Sequence, residues 1–361
     1  MSPRHPYVGL PDRQMWAADP GLADPALFDP VSDVPFRIGR EDRVVTMGSC
    51  FAQHVGRHLA VAGLNHHIAE PAHPVFDADL ARRFNYGVFS ARYGNIYTAR
   101  QLLQLLRRAY GLFAPRVEAW PRDATGDGRV VDPFRPRIQP EGFVSAAELA
   151  ADREVHLAAV RAAVESMDVL VFTLGLTEAW EDARDGAIVP LAPGVAGGVW
   201  NPDEVRFCNF DEVETWADLR EALTLIRARN PKVRIVLTVS PVPLNATYEP
   251  RHVAVSTAWS KAVLRLAAEK AARAFDACCY FPSYEIITAP HARGRYFAAD
   301  GREVLEAGVE HVMRLFLRHV CGVEGDAVPA PPAAPNAAQA HLAEMERLVA
   351  VLCDEQSITN R

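Results

Sequence analysis

Ser49 stands between Gly48 and Cys50, directly after the β-branched run Arg43-Val44-Val45-Thr46-Met47 and before Phe51, Ala52, Val55, Leu59 and Ala62, which recur at helical spacing. Strand, tight turn and helix are the expected order, with Gly63 closing the helix. A serine that ends a buried strand and opens a helix exposes its hydroxyl where the helix N-terminus favours developing negative charge. That is the chemistry of an acyl-transfer nucleophile. A helix-capping serine accounts for the same residue, so the motif alone leaves both readings open. Cys50 shares the helix N-terminus and reads either as a second nucleophile or as small buried packing.

A serine hydroxyl needs a proton acceptor. Of the 12 histidines, His252 lies in the loop after the run Val233 to Val239, at the sheet end where a site belongs. His311 is the other candidate. With a helix starting near Glu303 it would sit roughly 12 Å from the site end at 1.5 Å per residue, which disfavours it. Each histidine is equally readable as structural. The segment Val131-Asp132-Pro133-Phe134-Arg135-Pro136 carries an acid and a base in a pattern without a regular element. Arg135 reads either as a bidentate clamp on an anionic substrate or as the partner of Asp132 in an ion pair that pins the loop. Trp180, Trp200 and Tyr284 read as pocket walls or as core.

The elements that would position these groups alternate. Asp168 to Leu174 and Val233 to Val239 are continuous apolar runs suited to strands buried on both faces, and a short strand is expected around Cys279-Tyr280-Phe281. Helical spacing follows through Val263, Leu264 and Leu266, and again through Leu305, Val309, Val312, Met313 and Phe316. Strands alternating with helices predict an α/β parallel sheet covered on both faces. Its site is expected in the loops Gly48 to Cys50, Gly175 to Glu178, Ser240 to His252, and Pro282 to Asp300.

Composition bounds the function. The chain has 361 residues, 49% hydrophobic and 23% charged, which suits a folded globular protein rather than a disordered one. A net charge of −7 gives no electrostatic reason to expect nucleic acid. No window approaches the roughly 18 apolar residues that span a bilayer, and no signal-peptide pattern precedes the first strand, so a cytoplasmic protein without a membrane partner is expected. Six cysteines without a CxxC pair predict reduced thiols and no metal site.

Gly48-Ser49-Cys50-Phe51-Ala52 spells the signature of the GSCFA family, which this chain resembles over about residues 44 to 317. Asn85-Tyr86-Gly87, Tyr93-Gly94-Asn95-Ile96-Tyr97-Thr98, Thr173-Leu174-Gly175, Val239-Ser240-Pro241-Val242, Ser260-Lys261 and Tyr280-Phe281-Pro282-Ser283-Tyr284-Glu285 support it. Members look like a branch of the SGNH/GDSL hydrolases, which implies a flavodoxin-like core. The resemblance also implies a serine esterase or O-acyltransferase with Ser49 as nucleophile and its own N–H in the oxyanion hole. Gly94 or Gly87 and Asn95 would supply further donors. The third block, usually G-x-N-D, is Gly175-Leu176-Thr177-Glu178 here, where the Thr177 hydroxyl can still donate; a helix start after a strand accounts for the same residues. The last block, usually D-x-x-H, is Asp300-Gly301-Arg302-Glu303. Glutamate fills the histidine slot, and Asp300 capping a helix with Glu303 at its third position is a capping-box arrangement. Asp300 would then orient a base supplied from elsewhere, for which His252 is the candidate.

The expected organisation is an N-terminal arm at 1–40 packed on the core through Trp16, Phe28 and Phe36, a catalytic domain at 41–322, a Pro/Ala-rich linker at 323–337, and an amphipathic helix and tail at 338–361. Leu342, Met345, Val349 and Leu352 form the stripe of that helix, a surface for docking or for a homo-oligomer. The expected substrate is a small acylated metabolite or glycan precursor, with no cofactor. A catalytically silent scaffold or ligand-binding protein is the competing expectation, because the D-x-x-H histidine and the G-x-N-D asparagine are absent.

Overall fold

The computed structural model describes residues 5–32, 34–123 and 126–323, together with residue 358. The linker beyond residue 323 and, apart from residue 358, the helix expected at 338–361 lie outside the described residues.

After four short 3-10 turns between Asp12 and Leu27, β1 (Val44–Gly48) leads through Ser49 into α1 (Phe51–Val61). Then come α2 (Ala78–Arg83), α3 (Ala99–Ala109), β2 (Trp120–Pro121), β3 (Val130–Val131), α4 (Ala146–Ser166) and β4 (Val169–Leu174). A side sheet follows, formed by β5 (Glu178–Asp182), β6 (Ile188–Val189) and β7 (Val205–Asn209). The chain continues through α5 (Glu212–Arg229), β8 (Arg234–Val239), α6 (Val253–Ala274), β9 (Cys278–Tyr280), α7 (Ser283–Thr288) and α8 (Glu306–Val320).

The main sheet is parallel in the order β1-β4-β8-β9. On the free edge of β1, Val44 N donates to Asn65 O and His67 N to Val44 O, both at 2.9 Å, so residues 65–67 act as a rudimentary fifth strand. Counting that segment, the order is the flavodoxin-like one, and the fold is α/β as expected. The chain steps to one side of β1 first and to β4 on the other side later. The switch point is therefore between the carboxyl ends of β1 and β4, where Ser49 and Gly175 lie.

Alternation along each strand divides the core. Val45, Met47, Leu170, Phe172, Leu174, Ile235 and Leu237 face one layer with Leu102, Leu106, Val160, Leu223 and Leu264 from α3 to α6. Val44, Val169, Val171 and Val236 face the other with Phe51, Val55 and Leu59 of α1 and Val309, Val312 and Phe316 of α8. Both sides of the strands are buried, so their sequences are apolar runs rather than alternating ones. Gly63, at φ +71°, takes the left-handed position just after α1.

The N-terminal arm packs on this second layer. Ile38 is buried and its N–H donates to Val320 O at 2.8 Å, Phe28 is buried, and His319 Nε2 meets Asp29 Oδ2 at 2.7 Å. Phe36 is partly buried there. Trp16 stays largely exposed, although its ring lies 4.7 Å from that of His291.

Two local expectations are corrected. Gly175 to Glu178 does not start a helix: Glu178 opens β5, and the chain makes an antiparallel excursion before α5. Asp300 does not cap α8, which begins at Glu306 after Leu305. The apolar spacing from Leu305 onward marks the helix, while Phe297 bridges to Val304 and Ala298 N bonds Glu303 O, holding residues 297–304 as a tight loop. Among the described residues no helix is long and apolar enough to cross a membrane.

Candidate active site

Gly48 ends β1 at φ +131°, and a Cβ on it would stand 2.2 Å from Thr173 O. Only glycine permits so close an approach of β1 to β4 at such a φ. The turn it makes delivers Ser49 to the start of α1, where the side chain is 2% exposed and its Oγ has no hydrogen-bond partner among the described residues. A helix cap would engage that oxygen with a backbone N–H, so Ser49 is not serving as one. A buried hydroxyl without a partner is costly, which singles this atom out.

The serine's own N–H donates to Thr173 O at 3.0 Å. The expected oxyanion role for that group is thus corrected: it continues the β1–β4 ladder. Gly175 N and Leu176 N are similarly taken up by Tyr97 O at 2.9 and 3.2 Å. Gly175 matters sterically instead, since a Cβ there would lie 2.9 Å from Ser49 Cβ and 3.1 Å from Tyr97 O.

The cavity at Ser49 is lined by Cys50, Tyr97, Gly175, Leu176, Ser240, Val242, Pro243 and Leu244. Its free volume is about 10 Å³, room for about one water-sized group. None of these side chains is an imidazole or a carboxylate. Cys50 is a buried wall of the cavity.

The other sequence-derived residues fall in different places. His252 is exposed, and its Nδ1 accepts from Ala254 N at 3.1 Å as the cap of α6; it does not line the cavity. Thr177 Oγ1 donates to Asn209 Oδ1 at 2.7 Å rather than toward Ser49. Glu178 accepts from Thr247 Oγ1 at 2.5 Å and Tyr248 N at 3.2 Å, so it ties the loop after β8 to β5, and burial raises its pKa. Thr177 and Glu178 are thereby corrected from substrate contacts to struts of the cavity wall. Asn95 is buried, and its Oδ1 accepts from Gln53 Nε2 at 3.2 Å. Gly94 adopts φ +69° two residues before Ile96, whose N–H bonds Gly48 O at 2.8 Å.

Asp300 Oδ1 accepts from Arg302 N and Glu303 N at 2.9 and 3.0 Å, which holds its carboxyl below the usual range. It orients no histidine. Arg302 Nε donates to Pro243 O at 3.2 Å, so this loop borders the Ser49 cavity with Glu303 exposed on it. His311 is buried against Tyr296, whose hydroxyl meets Nδ1 at 2.7 Å, and burial depresses it to about 4. Arg135 Nε meets Asp132 Oδ2 at 3.0 Å: the ion pair pins the loop. Trp180 and Trp200 pack together with Tyr248 beside β5, outside the Ser49 cavity, and Tyr284 packs on the core.

One residue of a quoted motif, Ser260-Lys261, has a place that the sequence reading did not assign to it. Lys261, 2% exposed on α6, donates from Nζ to Gly175 O at 2.6 Å. Its signal was a lysine three residues before Leu264 and seven before Ala268, on the apolar stripe of the helix. A lysine there must bury its charge beside whatever the helix covers.

The sequence model of the GSCFA family matches residues 43–316. A comparison with curated protein sequences finds none that matches the chain.

Proposed function

The chain belongs to the GSCFA family, and from that premise we propose that it is an SGNH-like serine hydrolase or acyltransferase acting on short-chain esters, with Ser49 as nucleophile and Lys261 as its proton acceptor. The observation that carries this reading is the buried Ser49 Oγ, without a hydrogen-bond partner among the described residues, at the switch point of the sheet. Lys261 reaches the same point through Gly175 O. Serine–lysine pairs do the work of serine–histidine pairs on other folds.

In the proposed reaction Lys261, after its ammonium has released a proton to solvent, turns from Gly175 O and takes the Ser49 proton as Oγ adds to the ester carbonyl. The ammonium then protonates the departing alkoxide, leaving an acyl-serine. Water resolves it to an acid in a hydrolase, and an acceptor hydroxyl resolves it to a new ester in a transferase. The narrow space beside Ser49 leaves no room for a long acyl chain, which suits a short acyl group on a metabolite or glycan precursor.

A silent scaffold is the second reading, favoured by the absence of imidazole and carboxylate from the cavity lining. Intact mass after exposure to a small fluorophosphonate separates the two. One adduct, absent in Ser49→Ala, supports the enzyme. An unlabelled wild type that also fails to turn over activated acetyl esters supports the scaffold.

A further inference from the structure

A second cavity lies across the segment Tyr93–Tyr97 from Ser49. Asn95 and Ile96 line it, whereas Tyr97 lines the serine cavity. Around it is a buried charge cluster. Arg92 Nη1 meets Asp152 Oδ1 at 2.8 Å and Glu70 Oε1 at 3.7 Å, Arg135 bridges Asp132 and Asp152, and Arg153 Nη2 meets Asp132 Oδ1 at 3.1 Å. Three guanidiniums thus answer three carboxylates.

Arg108 is the fourth guanidinium. It is 8% exposed, its guanidinium carbon lies 3.7 Å from the centre of the Phe134 ring, and among the described residues it makes no side-chain hydrogen bond or ion pair. It lines this cavity beside Phe134 and Arg135 and feels the charge of Asp132 without a direct ion pair, and counting it the cluster carries one positive charge in excess. Buried arginine fits a planar anion by bidentate contact, and an unpaired buried charge is costly. His156, 1% exposed, lines the same cavity; its Nδ1 meets Glu70 Oε2 at 2.8 Å, and its Nε2 has no partner among the described residues. With Nδ1–H donating to the carboxylate, Nε2 is an acceptor.

We propose that this cavity binds the carboxylate of a small hydroxy-acid-like metabolite, the carboxylate on Arg108 and a ligand hydroxyl donating to His156 Nε2. Its free volume of about 30 Å³ is on the scale of a small carboxylate head, whose planar oxygens suit a guanidinium fork better than a tetrahedral anion does. The site is independent of the chemistry at Ser49.

Acetate and glycolate are the probes, titrated into the full chain with sulfate as the comparison anion. In protein labelled at isoleucine and leucine methyls, saturable shifts at Ile96, Leu105 and Ile188 are expected, with glycolate binding several-fold tighter than acetate and sulfate giving none. Arg108→Gln removes the response, while Arg107→Gln, on the exposed pair with Glu221, retains it. Should Arg108→Gln fail to fold, the wild-type shifts decide alone. No saturable shifts, shifts spread over the surface, or an equal response in folded Arg108→Gln overturns the proposal.

Discussion

Lys261 and Ser49 share Gly175 as a neighbour: Gly175 O accepts the lysine Nζ at 2.6 Å, and a Cβ on Gly175 would lie 2.9 Å from the serine Cβ. If this pair performs acyl transfer, Ser49→Ala and Lys261→Met each lower turnover of an activated acetyl ester by about 10²-fold to 10⁴-fold. His252→Ala keeps turnover and loses at most about 1 kcal/mol, since its structural role is a helix cap. Glu303→Gln, on the rim, keeps most activity. Circular dichroism checks each fold, and a dead Glu303→Gln beside an active Lys261→Met would move the base to the rim loop.

Gly48→Ala is expected to cost about 3 kcal/mol or more, because it combines a disfavoured φ with a clash against Thr173 O. Gly87→Ala, at φ +76° but with nothing within 4 Å of the added carbon, is expected to cost about 1 kcal/mol. Urea midpoints of the two variants measure the difference.

Acid should destabilise the protein before its carboxylates titrate. Burial depresses His156 and His66 to about 4 and His54 to about 3. Between those values and the ordinary 6.5, the unfolded chain binds protons that the folded one does not, so stability falls as pH falls through this window. His156, beside Glu70, Asp132 and Arg135, is expected to contribute a slope of up to about 1.4 kcal/mol per pH unit. Below it, protonation of Glu70, Asp132 and Asp152, whose folded pKa values are lowered, extends the loss. Thermal melts from pH 7 to 4 test the window; a flat Tm would refute it.

Ile38→Ala removes a buried side chain that joins the arm to α8 and is expected to cost about 2–5 kcal/mol by chemical denaturation. Truncation after Val328 is expected to preserve turnover, because the stripe Leu342, Met345, Val349 and Leu352 offers apolar contacts and no catalytic groups. Lost turnover in a truncated chain that keeps its fold and oligomeric state would contradict this.

The sequence by itself determined the sheet. Runs such as Val169–Leu174 and Arg234–Val239 are apolar because both faces of a parallel strand are covered, and Gly48-Ser49 marks where the first strand stops. The side sheet of β5 to β7 left no such mark: Trp180 and Phe207 meet each other across it, and both pack on Tyr248 from the loop after β8. Site assignment failed wherever it rested on loop position. His252 occupies the expected sheet end, yet its ring turns back to cap α6, and Thr177 spends its hydroxyl on Asn209. Side-chain direction and competing partners decide such matters, and both are tertiary. Lys261 shows the converse: 86 residues from Gly175 in the chain, it meets that residue's carbonyl only because α6 folds back over the sheet beside β8 and β9.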